Sequence, residues 1–445
     1  MASAEQMRDG AILPTLLAMA VPNLVALGSS ALISVAETVY VGRLGVSALG
    51  GVALVFPVIM LMQMLSAGAM GGAISGAISR ALGAGDTAAA TSLARAAAFI
   101  GLSAGSGLAF LLWLLGPSLY GLLGGRGATL LAAIDFSNVA AWGIIAVWLS
   151  NCLASILRGS GDMRTPSAIQ LVGGAIQILV GGILGLGLFG VPQFGVSGIA
   201  CGQVVGFWLA TVLLVFRLRK GRSRIVLDWA GGWPAQFHFD AILRVGLVAV
   251  LSPLQSVATV LILTAMVARF GTEALAGYGI GTRLEFLLIP VAFSVGVACL
   301  PMVGTAIGAD NPSRARSVAW IAGGLSAAAL GLIGLVFGLF PGLWIDLFAD
   351  DPKVVAATAT YLRIAAIGYP FFGLGLCLYF AAQGAGKVGG PIIAQSLRLA
   401  VVVVGGHLMI GADAPIWAFF GLSAAAMVTM GLGTALAVRA SSWSE

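Results

Sequence analysis

The stretch that decides the fold is Ala11 to Gly45, with the sequence AILPTLLAMAVPNLVALGSSALISVAETVYVGRLG. This long apolar run is interrupted by Pro22 and carries one acidic residue, Glu37, near its far end. A run of about 20 apolar residues is long enough to cross the hydrocarbon core of a bilayer. An ionisable side chain inside such a run is costly and usually faces a cavity or a polar partner. The stretch therefore predicts a first membrane helix with a functional acid at Glu37.

The composition of the whole chain extends this prediction. Charged residues make up 9% of the 445 residues and hydrophobic residues 60%, whereas a soluble protein is roughly 25% charged. Backbone groups inside a bilayer must be satisfied internally, and in apolar runs of this length only helices achieve this. The predicted fold class is an all-α polytopic membrane protein. The net charge of +6 is carried by short loops and does not indicate binding to nucleic acid.

Twelve apolar runs recur along the chain, and each predicts a membrane span. The predicted spans are 12–40, 50–79, 96–116, 136–157, 166–189, 197–216, 245–268, 275–305, 318–340, 356–382, 390–409 and 415–438. Fifteen of the 22 Lys and Arg residues fall in segments on the same side as the N-terminus. The loops of the other side hold only Arg43, Arg126, Arg269 and Lys353. Because basic segments stay inside, both termini are predicted to be cytoplasmic, in the inner (plasma) membrane.

An internal repeat divides the chain into two halves of six spans. The sequence VGRLGVSALGG at 41–51 matches VARFGTEALAG at 267–277, and Gln170 matches Gln395, at offsets of 226 and 225. An even number of spans gives both halves the same orientation, with the transport path expected between them. The predicted domains are an N-lobe at 1–216, a cytoplasmic linker at 217–244 and a C-lobe at 245–445. The linker is rich in basic residues, including Arg222, and Trp229 suits the membrane interface.

The sequence gives no support to an enzyme. The four cysteines lie in apolar runs without a CxxC spacing, which fits small packing residues rather than a metal or redox site. A GxSxG pattern at 101–105 lies inside a span and lacks the strand that a serine-hydrolase site requires. No ATP-binding loop is found, so transport would have to use an ion gradient. Neither a cofactor, a metal nor a catalytic residue is predicted.

The chain resembles the multidrug and toxic compound extrusion (MATE) family over essentially its whole length. The residues that carry the resemblance are Pro22, 35–45 (VAETVYVGRLG), Arg158 with Gly159, 190–200 (GVPQFGVSGIA), and Gly384 with Pro391. This resemblance implies two six-helix lobes arranged as a V. It also implies cation-coupled export of organic, often cationic or amphipathic, compounds by alternating access.

Departures from the family pattern bear on the coupling ion. The acid of the first helix is usually aspartate and here is Glu37, and the polar positions of spans five and six hold Gln177 and Gln203. Acids of the NorM-like branch in spans seven and ten align with Ser256 and Phe372. The chain is therefore more similar to the proton-coupled, DinF-like branch. The resemblance then implies that Glu37 is the proton-coupling residue.

Further positions in the N-lobe are expected to support Glu37. The amides of Gln177 and Gln203 can hydrogen-bond Glu37 in either protonation state, or they serve only in helix packing. A proline within a helix removes a backbone hydrogen bond, so Pro22 is either a hinge or a fixed bend. The supporting polar and hinge positions are Gln177, Gln203, Tyr40, Pro22 and Asn23.

Three ionisable residues lie well inside the spans of the C-lobe: Arg283, Glu285 and Arg398. Arg283 and Glu285 are two residues apart and do not share a helix face, so each needs its own partner. We expect Arg398 to pair with Glu285 as a buried structural pair. The alternative is a role in the substrate path or in lobe closure.

These observations predict a proton-coupled antiporter for small organic molecules that works as a monomer in the lipid bilayer. One alternative is sodium coupling, with Glu37 and backbone carbonyls as hard oxygen ligands. The other is a flippase for a lipid-linked precursor, which would favour more than twelve spans and a strongly basic cavity.

Overall fold

The structure, a computed structural model, describes residues 4–220, 224–228 and 232–443, and these residues form helices and no strand. Arg222 and Trp229 of the predicted linker lie outside the described residues. A π-helical segment, Met64–Met70, connects two of the helices. The α-helices in chain order are α1 (Ala4–Arg8), α2 (Ile12–Arg43), α3 (Val46–Gln63), α4 (Gly71–Gly83), α5 (Thr87–Leu122), α6 (Gly127–Gly159), α7 (Arg164–Leu186), α8 (Gly195–Arg219), α9 (Gln236–Ala249), α10 (Leu251–Val267), α11 (Thr272–Gly308), α12 (Pro312–Leu339), α13 (Gly342–Ile345), α14 (Pro352–Ala365), α15 (Tyr369–Ala385), α16 (Gly389–Gly411) and α17 (Ile416–Ala440).

The prediction of an all-α protein with twelve spans is confirmed. Eleven spans in the described chain are long and apolar enough to cross a membrane, and the bent pair of α14 and α15 makes twelve. Two spans are composite, with α3 continuing into α4 and α9 into α10. Most helices begin and end outside the predicted limits, because polar residues of the interface continue the helical hydrogen bonding beyond the apolar run.

The chain divides into two compact units. Unit 1 contains Val21–Gly246, and unit 2 contains Ala4–Ala20 together with the chain from Leu247 onward. The helix α2 therefore contributes its first residues to unit 2 and the remainder to unit 1. The described residues of the predicted linker, 217–220, 224–228 and 232–244, fall within unit 1.

The repeat seen in the sequence recurs in the helix ends of both units. Asp86 begins α5 by accepting the N–H of the third residue along, and Asn311, 225 residues later, does the same for α12. Such caps satisfy one of the backbone donors left unpaired at a helix start. Gly161 and Gly386 share the same offset, and both have the left-handed backbone that favours glycine, with φ of 87° and 75°.

The tenth span differs between the two halves. It is bent by 53° between α14 and α15, whereas the matching fourth span is the single helix α6. Pro370 follows the bend, and the residue 225 positions earlier is Ile145. Proline has no N–H and its ring clashes with the preceding turn, so Pro370 favours a break here, although Pro22 within the continuous α2 shows that a proline does not always produce one.

Candidate functional site

Glu37 lies near the end of α2 and accepts two hydrogen bonds from amides on neighbouring helices. Gln177 Nε2, on α7, is 2.7 Å from Glu37 Oε1, and Gln203 Nε2, on α8, is 3.1 Å from Glu37 Oε2. Gln177 is buried, while Glu37 and Gln203 are half-buried. The two hydrogen bonds anticipated from the sequence are thus present.

Close packing of α7 against α8 brings the two amides together. A Cβ atom at Gly202 would lie 2.5 Å from the backbone oxygen of Gln177, and one at Gly206 would lie 2.7 Å from the backbone oxygen of Gly173. Small residues allow helices in a membrane to approach to this distance. Because Gln203 directly follows Gly202, this approach sets its amide beside that of Gln177.

The hydrogen bonds around Glu37 match an ionised carboxylate. Each carboxylate oxygen accepts one amide N–H, and an ionised glutamate offers acceptors only. Protonation turns one oxygen into an O–H donor with reduced acceptor capacity, which weakens one amide contact unless that amide turns its own oxygen toward the acid. A change of protonation at Glu37 therefore rearranges the contact of α2 with α7 or α8.

The other expected N-lobe residues lie on α2 but at different levels. The ring of Tyr40 packs at Gly182 of α7, where a Cβ atom would be 3.1 Å from the ring. Asn23 is buried and accepts a hydrogen bond from Ser167, with 3.3 Å between the two oxygens. Pro22 lies inside α2, which continues through it as one helix. Pro22 and Asn23 are about 21 Å from Glu37 along the helix axis, so they do not touch its carboxylate.

Glu285, an acid within α11 of unit 2, accepts a hydrogen bond from a tyrosine. Tyr361 of α14 donates a hydrogen bond to Glu285 Oε1, and the Tyr361 hydroxyl is also 3.5 Å from Ser423 Oγ. The Tyr361 ring contacts Tyr278 and Phe420 edge to face, at centroid distances of 5.0 and 5.1 Å. Glu285 is thus held within an aromatic core.

The expected direct pair between Glu285 and Arg398 is not formed. No salt bridge joins them in the described part of the chain. Arg398 Nη1 is instead 3.4 Å from Met430 Sδ, and its guanidinium lies 5.9 Å from the ring centroid of Phe372. The Tyr361 hydroxyl donates to the carboxylate instead, while the guanidinium of Arg398 is directed toward Met430 and Phe372.

Arg283 lies apart from both residues. Its side chain is exposed, and its guanidinium lies 5.6 Å from the ring centroid of Phe348. The structure therefore separates Arg283 from Glu285, as their two-residue spacing predicts.

Sequence reasoning missed Tyr361 and Ser423 as neighbours of Glu285. Both are polar residues within apolar spans, which is the signal that could have drawn attention to them. It also missed the hydrogen bond between Ser30 and Gln170, in which the donor and acceptor atoms are 3.1 Å apart. The sequence distinguishes Gln170 only as the repeat partner of Gln395.

Comparison with known proteins gives consistent matches. The family model described as MatE matches the chain twice, over residues 22–183 and 249–408. The protein named "Probable multidrug resistance protein NorM" from Thermotoga maritima is 27% identical over 380 residues, covering 81% of this chain and 78% of the relative. The FAD transporter of Shewanella oneidensis is 25% identical over 375 residues, covering 82% of this chain and 80% of the relative.

A solved structure of a MATE protein in the straight conformation shares the fold. It superposes with a TM-score of 0.90 at 21% sequence identity, over 99% of this chain and 98% of the other. Such proteins have twelve membrane helices in two lobes.

Proposed function

Since this chain belongs to the MATE family of membrane transporters, we propose that it is an antiporter that exports organic, often cationic or amphipathic, compounds in exchange for protons. Members of this family are transporters and not enzymes. The observation that carries the proposal is that both oxygens of Glu37 accept amide N–H groups, from Gln177 and Gln203. Proton binding reduces the acceptor capacity of this carboxyl group, so it weakens the attachment of α2 to α7 or α8.

The proposed coupling runs through α2. When Glu37 is protonated, the outer half of α2 loses part of its attachment to α7 and α8. Pro22 leaves a carbonyl of the preceding turn without its usual N–H partner, so the helix can bend there at low cost. Bending would reduce the space available to substrate within unit 1. Export follows if the proton and the substrate favour different states of α2.

Two observations favour protons over sodium. A sodium ion needs oxygen ligands, whereas the amides of Gln177 and Gln203 turn their nitrogens toward Glu37. In unit 2, Phe372 stands where the NorM-like branch has an acid, and the guanidinium of Arg398 lies over its ring. A fixed positive charge there opposes a bound cation. The same features support assignment to the DinF-like branch.

We further infer that the protein works as a monomer with both termini in the cytoplasm. The excess of basic residues in the predicted cytoplasmic segments supports this orientation. The repeat supports an N-lobe at 1–216 and a C-lobe at 245–445, joined by the linker 217–244. Because Glu37 has no acidic counterpart at Leu263, the position that the offset of 226 assigns to it, we assign proton coupling to the N-lobe alone.

The test is efflux of a fluorescent organic cation from proteoliposomes that contain the purified protein. Proton and sodium gradients are imposed separately on the wild type and on Glu37→Gln, Glu37→Asp and Glu273→Gln. Glu273 is an exposed acid of unit 2 that pairs with Lys353, so Glu273→Gln is a matched control. We expect proton-driven efflux in the wild type and in Glu273→Gln, reduced efflux in Glu37→Asp, and none in Glu37→Gln.

Wild-type rates in Glu37→Gln would end the claim that Glu37 couples transport. If efflux requires a sodium gradient and does not respond to a proton gradient, Glu37 remains the coupling residue and the coupling ion is sodium. Absence of efflux under both gradients, with lipid movement between leaflets instead, would favour the flippase.

A further inference from the structure

Side-chain hydrogen bonds join α2 at equal intervals to α7 and to Met163, the residue that precedes α7. The pairs are Asn23 with Met163, Ser30 with Gln170, and Glu37 with Gln177, and the members of each pair are 140 residues apart. A constant separation means that the two helices run in the same direction. An interval of seven residues is two helical turns, the repeat of a coiled-coil seam.

Larger side chains of α2 pack against glycines of α7 along the same contact. Ile33 reaches into the space over Gly174, where its Cδ1 would be 2.1 Å from an added Cβ, and Tyr40 does the same at Gly182. Ile33 and Tyr40 are three residues after Ser30 and Glu37, as the second apolar position of a heptad requires. A polar residue at the first heptad position fixes register at some expense of stability.

The hydrogen bond of Ser30 lies between the proposed hinge and the proposed coupling acid. Ser30 is eight residues after Pro22 and seven before Glu37. Its hydroxyl donates to the carbonyl of Ala26 at 3.1 Å and accepts from Gln170 Nε2 at 3.1 Å. The side chains of Ser30 and Gln170 are half-buried. If this hydrogen bond breaks inside the membrane, water does not readily take its place.

The matching helices of unit 2 are attached more firmly. Gln255 Nε2 is 2.7 Å from Ser396 Oγ, and Gln395 Nε2 is 2.8 Å from Ser252 Oγ. The backbones of α10 and α16 also approach each other closely along the helices, and within the described chain α2 and α7 show no comparable approach. Unit 1 therefore joins α2 to α7 through side chains alone, whereas unit 2 adds close backbone packing to its two bridges.

We propose that Ser30 and Gln170 are positioning residues of proton coupling, and that their hydrogen bond must open when α2 bends. This rests on the proposed function of Glu37. The hydrogen bond keeps α2 in register on α7 in the state in which the carboxylate of Glu37 accepts both amides. It therefore opposes bending until protonation has removed one of the amide contacts.

The pH dependence of this step belongs to Glu37, because the other ionisable groups on the surrounding helices do not contact it. The described contacts of its carboxylate are Gln177 and Gln203. The ionisable side chains on these helices are Tyr40 and Arg43 on α2, Arg164 on α7, Cys201, Arg217 and Arg219 on α8, and Asp135, Cys152 and Arg158 on the adjacent α6.

The experiment compares Ser30→Ala and Gln170→Leu with the wild type in the same proteoliposome assay across a range of pH. Without the bridge, α2 bends with less protonation, so the pH of half-maximal efflux should move upward. Loss of one hydrogen bond changes the equilibrium between straight and bent α2 by about 2.5- to 10-fold, which moves the pH of half-maximal efflux by about 0.4 to 1 unit. The exchanged pair Ser30→Gln with Gln170→Ser retains a donor and an acceptor and should restore the wild-type midpoint.

The matched control is Gln395→Leu, which removes the repeat-related bridge of unit 2 and should leave the midpoint unchanged. A second readout does not require transport: spin labels at Val35 and Leu179, both exposed, report the distance between α2 and α7. With cysteines introduced there and the native cysteines replaced, the pH at which this distance changes should move upward in Ser30→Ala.

An unchanged midpoint in both bridge variants, or an equal shift in Gln395→Leu, would overturn the proposal. A wild type without proton-driven efflux would instead refute the function of Glu37, so the two failures are distinguishable. If Gln170→Leu does not fold, the smaller change in Ser30→Ala still decides the question.

Discussion

Tyr361 donates the hydrogen bond that holds Glu285, and its hydroxyl is also within 3.5 Å of Ser423 Oγ. The acid, the tyrosine and the serine lie on three different helices, α11, α14 and α17. One buried phenol thus connects three elements of unit 2. Arg398 supplies a positive charge nearby without touching the carboxylate.

We expect Tyr361→Phe to destabilise the protein and leave proton-driven efflux intact. The substitution deprives a buried carboxylate of its donor, which costs roughly 1–3 kcal/mol. Glu285→Gln leaves Arg398 without a compensating charge, and the loss should lie near the lower limit of the roughly 3–5 kcal/mol for a broken buried pair, because the two groups are not in contact. Thermal unfolding in detergent measures both effects.

Tyr278→Phe is the control, since it removes a hydroxyl from the same aromatic cluster and leaves the bond to Glu285 in place. Its unfolding temperature should exceed that of Tyr361→Phe. A Glu285→Gln protein that is as stable as the wild type but exports nothing would place Glu285 in the substrate path.

Gly202→Ala should weaken the site without changing any polar residue. The added methyl group would lie 2.5 Å from the backbone oxygen of Gln177, so α7 and α8 must separate. Overpacking of this kind costs roughly 1–3 kcal/mol, and separation of the helices lengthens the contact of Gln203 or Gln177 with Glu37. We expect a lower unfolding temperature together with slower proton-driven efflux.

Gly107→Ala is the matched control, because no atom lies within 4 Å of its added methyl group. It should unfold at or above the wild-type temperature, since alanine favours the helix by roughly 0.8–1.0 kcal/mol. Equal behaviour of the two variants would show that close approach of α7 to α8 is not required.

The proposed orientation can be checked by labelling single cysteines on a background without the native four. Ser47, Gln193 and Asp413 are exposed near helix ends of one predicted face, and Ser313 is exposed on the other. An impermeant thiol reagent should label the first three in intact cells and reach residue 313 only after lysis. Ser313 is used because the neighbouring Asn311 caps α12. Labelling of residue 313 in intact cells would reverse the topology.

The number of spans could be predicted from the sequence because each span must be apolar over its whole length. That requirement applies to each residue separately, because hydrocarbon surrounds every residue of a lipid-exposed helix. The bend of the tenth span was not predicted, although Pro370 is visible in the sequence. Proline also occurs at Pro22 in a helix that continues unbroken, so the neighbouring helices decide whether a proline breaks a span.

Glu37 stands out from the sequence because an acid within an apolar run is rare whatever surrounds it. The partners of Glu285 could not be chosen in the same way. Arg398 carries the complementary charge in the sequence. The packing of α11 on α14, however, places the Tyr361 hydroxyl within hydrogen-bonding distance of the Glu285 carboxylate. Hydrogen bonding depends on a few tenths of an ångström and on direction, and neither can be read from the order of residues.

The sequence by itself determined the membrane spans, the twofold repeat and the isolated acid on α2, because these follow from hydrophobicity and from similarity between positions a fixed distance apart. Only the tertiary structure decided which amides face Glu37, that Ser30 bridges to Gln170, and that Tyr361 replaces Arg398 beside Glu285. Those contacts join residues 76 to 166 positions apart, and they depend on how closely glycines let neighbouring helices approach.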